Sequence, residues 1–142
     1  MCYLIYFSTS SDEDFTMLQS EHFTISTPDP VKDSEYTGLP EHAHCWFLMC
    51  KYGGCSCHFR HFLDDKQFAP IAEWRQEDED DVESTIQIYD VFWRLFLEGH
   101  HLDIVDVWSG TPPEEVDSID VDLSEVFREN FRIFENRRFA VI

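Results

Sequence analysis

The chain has 142 residues, and 29 Asp+Glu against 10 Lys+Arg give it a formal net charge of -19. Such a surface repels phosphate backbones and anionic headgroups, so direct binding of nucleic acid or of a membrane is excluded as its main role. A hydrophobic share of 43%, with 13 Phe, 5 Tyr and 4 Trp, supplies a core for a single domain over residues 1–142 and argues against intrinsic disorder.

Residues 2–7 form an apolar, aromatic-rich run closed by the Ser/Thr residues 8–11, and read as a buried strand. Ser11 is placed to cap a short helix whose first turn holds Asp12, Glu13 and Asp14. Residues 22–26 alternate as a second strand, after which Pro28, Pro30, Gly38 and Pro40 mark a long loop. From Ala43 to Tyr52 both faces are apolar, which predicts a strand covered on both sides. Gly53 and Gly54 suit a tight hairpin that returns the chain as a strand over 55–60, with a helix over 56–63 as the alternative. Residues 62–77 show no period and read as a loop over the core.

The strongest signal is a helix over 80–98. Val82, Ile86, Tyr89, Phe92, Trp93, Phe96 and Leu97 fall on one side, residues 78–81 put carboxylates at its start, and Gly99 stops it. Ile88, Val91 and Leu95 widen the apolar arc beyond one face, which suits a helix enclosed by the domain or shared with a partner. Strands are predicted over 102–108 and 119–123, separated by a helical turn after Pro113. Ser124 opens a second main helix that buries Val126, Phe127, Phe131 and Phe134, and residues 137–142 close as a strand. These elements predict an α+β fold: a mixed or antiparallel sheet with two main helices packed against it.

Of the 5 Cys and 7 His, eight lie between positions 42 and 61. Cys45, Cys50, Cys55, Cys57, His58 and His61 are therefore candidates for a metal or redox-thiol site, with zinc the cofactor that this donor set suits. The spacing contains no paired C-x2-C knuckle. On a regular strand Cys55 and Cys57 stand about 6.5 Å apart, against about 3.8 Å for two sulfurs on one tetrahedral zinc, so sharing an ion needs a bend. The competing reading has no cofactor and makes the cysteines small core hydrophobes.

A nucleophilic enzyme would set Cys57 beside His58 or His61, oriented by Asp106. Asp106 shares a strand face with Ile104 and Trp108 and needs donors there, which Arg60, His58 or a backbone amide could supply; a buried ion pair with Arg60 is the expectation. The acidic run at 77–81 lacks the glycine and ligand pattern of a calcium loop and reads as a solvated helix start. No P-loop, G-x-G-x-x-G, G-x-S-x-G or H-E-x-x-H is present, so the chain reads as non-enzymatic. An odd number of cysteines without an export signal points to reduced thiols in the cytoplasm, and no stretch of 18 apolar residues predicts a membrane span.

The leading functional expectation is an acidic module that binds an unidentified protein or a second copy of itself. Phe68, Trp74, Ile88, Val91 and Leu95 would form an apolar contact rimmed by carboxylates. The alternative is the metal or redox-thiol protein centred on residues 42–61. Gly54-Cys-Ser-Cys-His-Phe-Arg-His61, with Leu97-Glu-Gly-His, Asp106-Val-Trp, Leu123-Ser-Glu-Val and Phe131-Arg-Ile-Phe-Glu-Asn136, resembles a family of small uncharacterised bacterial proteins. The resemblance implies a bacterial, intracellular, single-domain protein and brings no activity, cofactor or catalytic residue with it.

Overall fold

The computed structural model describes residues 2–18, 20–29, 36, 42, 44–51, 55–62 and 77–142. The apolar run at the start forms β1 (Tyr3–Thr9), whose last five residues are buried. It is sandwiched between two antiparallel neighbours, β3 (His44–Cys50) with Ile5 opposite Leu48, and β5 (Leu102–Trp108) with Ile5 opposite Asp106. β2 (Phe23–Ser26) forms the edge beyond β3. On the other side β8 (Arg137–Val141) pairs antiparallel with β5, and β6 (Asp117–Val121) pairs parallel with β8. The order is β2-β3-β1-β5-β8-β6, a mixed six-stranded sheet. A separate two-stranded parallel pair joins β4 (His61–Phe62) to β7 (Ile133–Phe134).

The single α-helix among the described residues is α1 (Glu79–Leu97). Asp78 caps it by accepting the Asp80 N–H at 2.8 Å, Glu79, Asp80 and Asp81 occupy the first turn, and Gly99 leaves it at φ +82. The buried stripe runs through Ser84, Thr85, Ile88, Tyr89, Val91, Phe92 and Leu95. It lies on the sheet face that carries Ile5, Phe7, Leu48, Ile104 and Phe139. Tyr6, Tyr36, Phe47, Val105 and Val107 make a second cluster, so both faces of the central strands are covered. None of the described helices is long and apolar enough to cross a membrane.

Three expectations are corrected. The fold has one main helix and is mostly sheet, because residues 123–134 do not form the expected helix. They make two three-residue 3-10 turns, Leu123–Glu125 and Arg128–Asn130, before β7. Leu123, Val126, Phe131 and Ile133 are buried while Phe127 is 74% exposed, a spacing that no helical face provides. Long-range bonds outcompete the local ones here: Ile133 N–H donates to the Arg60 carbonyl at 2.8 Å, and the Arg60 guanidinium holds the Glu129 carbonyl at 2.6 Å. A helix of about a dozen residues is marginal on propensity alone and yields to such ties.

The second correction concerns residues 55–60, which are neither a returning strand nor a helix. A ladder-like bond from Cys50 N–H to the Cys55 carbonyl at 2.8 Å joins them to β3. The turn proposed at Gly53 and Gly54, and most of the loop proposed at 62–77, lie outside the described residues. The third is the helix face. Ile88 and Leu95 are fully buried and Val91 is nearly so, whereas Leu97 is exposed, so the proposed partner contact on α1 is spent on the protein's own core.

Candidate thiol centre

The start of β1 and the ends of β3 and β5 meet at one end of the sheet. Ser56 fixes the 55–57 segment there. Its hydroxyl accepts the Ile5 N–H at 2.8 Å and donates to the Leu48 carbonyl, so it sits between the two strands, and its own N–H donates to the Tyr3 carbonyl at 2.8 Å. Cys55 and Cys57 are thereby held on either side of a pinned serine, out of strand geometry and beside Cys2. The sulfurs of Cys2, Cys55 and Cys57 all lie within 4.8 Å of one another.

The three thiols are unlike. Burial opposes ionisation of Cys55, but the Cys57 backbone N–H and the thiols of Cys57, Cys2 and Cys50 are directed at it and together hold it below the usual thiol range. Cys57 is pushed up to about 12 by burial and then by its neighbours Cys55 and Cys2. Of these two, Cys55 is the readier to ionise. Cys2 is exposed and Cys55 and Cys57 are half-buried, so the centre is open to ions from solution.

The other sequence candidates separate. Cys45 lies at the other end of β3, opposite Ser8 and against the Tyr6 and Phe47 cluster. Cys50 is buried and contacts Cys55 through its thiol. The His58 side chain is 68% exposed, with Nδ1 3.4 Å from Asp81 Oδ1, and its carbonyl accepts the Ser84 hydroxyl at 2.6 Å. Cys2 escaped the sequence reading because its contribution depends on strand register. Its one trace in the sequence is that the four cysteines at 45–57 leave an unmatched fifth at the head of a buried strand.

His61 sits beneath Tyr3, the rings stacked at 3.8 Å and 13°. Its Nδ1 donates to the Phe59 carbonyl at 3.0 Å, and its Nε2 lies 3.4 Å from Asp106 Oδ1. The Tyr3 hydroxyl donates to Glu135. Sequence reasoning set Asp106 to orient a histidine beside Cys57. His61 and Asp106 do meet, but the ring bonds the Phe59 carbonyl through Nδ1 and points Nε2 at Asp106 without a hydrogen bond, and His58 faces Asp81. No imidazole among the described residues is positioned as a base for Cys57.

Arg60 does not pair with Asp106. Its guanidinium bonds Glu77, which Arg132 also approaches at 3.3 Å, and all three side chains are at least nine-tenths buried. Compared with known proteins, the chain matches no family model, no curated protein and no solved structure. Of the proposed partner contact, Phe68 and Trp74 lie outside the described residues.

Asp106 gives a pH prediction. Burial pushes its carboxyl up, outweighing His61 and the nearby Asn136 N–H, while Glu135 pushes it further in the same direction. The folded state therefore holds this proton more tightly than the unfolded chain. The resulting stability is fully present below the ordinary carboxyl value of about 3.9, and it is lost as pH rises through the raised folded value. Asp106→Asn removes the dependence, so denaturant melts should show the variant gaining on the wild type as pH rises from about 4. Parallel curves would show that Asp106 is not perturbed by its burial.

Proposed function

We propose that the protein binds a soft metal cation through a cysteine thiolate centre built from Cys2, Cys55 and Cys57. The observation that carries this reading is the convergence of three sulfurs within 4.8 Å. A tetrahedral ion with bonds of about 2.3 Å holds its sulfurs about 3.8 Å apart, so the cluster needs to close by no more than about 1 Å. The four donors directed at Cys55 favour the charged form that a metal requires. The net charge of -19 adds a field that concentrates cations at the surface. Three thiols also suit an ion better than a disulfide, which would leave one sulfur over. Such a centre belongs in a reducing compartment, the cytoplasm.

The reading as a partner-binding module has lost its helix contribution to the core. The thiol reading stands on geometry, and elemental analysis tests it. Protein purified without chelator should carry about one equivalent of zinc or a chemically similar ion, and Cys2→Ser or Cys57→Ser should remove most of it. A metal-free chain that also takes up no zinc in titration would sink the proposal.

A further inference from the structure

Zinc requires four ligands in a structural site, and three cysteines leave one position to fill. The neighbours to weigh are His58, next to Cys57 in the chain, His61 and Glu135, both in contact with Tyr3, and Cys50, bonded to Cys55. His58 is turned to Asp81, His61 donates Nδ1–H to the Phe59 carbonyl and faces Asp106 with Nε2 at 3.4 Å, and Glu135 accepts the Tyr3 hydroxyl. Cys50 is tied to the cluster itself. Its backbone N–H is bonded to the Cys55 carbonyl at 2.8 Å and its thiol is directed at the Cys55 sulfur.

We infer that Cys50 is the fourth ligand and that the centre is a closed four-cysteine zinc site made by Cys2, Cys50, Cys55 and Cys57. This rests on the thiol-centre reading above and decides what kind of centre it is. With four thiolates no coordination position remains for water or substrate, so the ion is structural and not hydrolytic. Each thiol still protonated releases its proton to solvent on coordination. Cys50 is 4% exposed, and it closes the ion off from the side of β3. The ion would tie the start of β1 to the end of β3 and to the segment pinned by Ser56, three pieces of chain that share few other covalent or helical constraints.

Zinc X-ray absorption on the zinc-loaded wild-type chain tests this without any substitution. Four sulfurs at about 2.3 Å are expected; three sulfurs and one lighter atom would overturn the assignment of Cys50 while leaving the thiol centre standing. In competition titrations with zinc, Cys50→Ser should bind about 100-fold or more weakly than wild type, and Cys45→Ser, at the far end of β3, should bind as wild type does. Equal affinity of Cys50→Ser and wild type would also overturn it. A wild-type chain that takes up no zinc at all would remove the parent reading and this inference together.

Discussion

Phe131→Ala is expected to lower the stability of the protein by about 3–5 kcal/mol, while Phe127→Ala, four residues earlier, changes it by no more than about 0.5 kcal/mol. Phe131 is fully buried and meets Tyr89 at 5.3 Å, Phe92 at 6.3 Å and Phe139 at 6.4 Å between ring centroids. It therefore joins α1 to β8, and its removal opens a cavity that helix and sheet cannot both close on. Phe127 is 74% exposed and has little to lose. A helix over this segment would bury both rings, since residues four apart share a face. Urea melts of the two variants thus separate the observed 3-10 path from a helical one: comparable losses would favour the helix.

Glu77→Gln should be nearly as damaging, at about 3–5 kcal/mol. The Glu77 carboxylate is shared by the buried guanidiniums of Arg60 and Arg132, and Arg60 in turn holds the Glu129 carbonyl at 2.6 Å. Removing the negative charge leaves Arg60 buried with Nη2 already lacking a partner among the described residues. The loss should persist in high salt, because screening acts weakly on a pair this far from solvent. The exposed Arg128–Asp90 pair, bidentate at 2.7 and 2.8 Å but half exposed on both sides, supplies the contrast. Its removal should cost less than about 1 kcal/mol and should fade with salt. A small effect at Glu77 would mean that Arg60 finds its charge partner elsewhere.

These two residues also show where sequence reasoning stops. The main strands and α1 were legible because each carries its own signal: apolar runs at 2–7, 43–52 and 102–108, alternation at 22–26 and at 119–123, the last displaced by two residues from β6, and acids before a 3.6-residue period with Gly99 behind it. The 123–134 segment carries a helix-like pattern too. Its true path is set by bonds to Arg60 and by pairing with β4, partners some 70 residues away in sequence. Arg60 finding Glu77 instead of Asp106 is illegible for the same reason.

The thiol centre divides along the same line. Clustering of cysteines at 45–57 was visible, but a periodicity argument assumes regular strand between Cys55 and Cys57. Ser56, inserted between β1 and β3, breaks that assumption. Which cysteines converge depends on register, and register placed Cys2 inside the group and Cys45 outside it.

The position of β1 bears on how fast the protein assembles. Its pairing with β3 closes a loop of roughly 40 residues, but its other edge is satisfied only by β5, with Tyr3 opposite Trp108. About a hundred residues must therefore be brought together before this central strand has both neighbours, and closure entropy is spent before those contacts repay it. Until then an apolar edge of seven residues stands unpaired, a template for the wrong strand of another molecule. The rate of folding, and the yield at high concentration, will be governed by this one late closure more than by the helix that dominates the sequence.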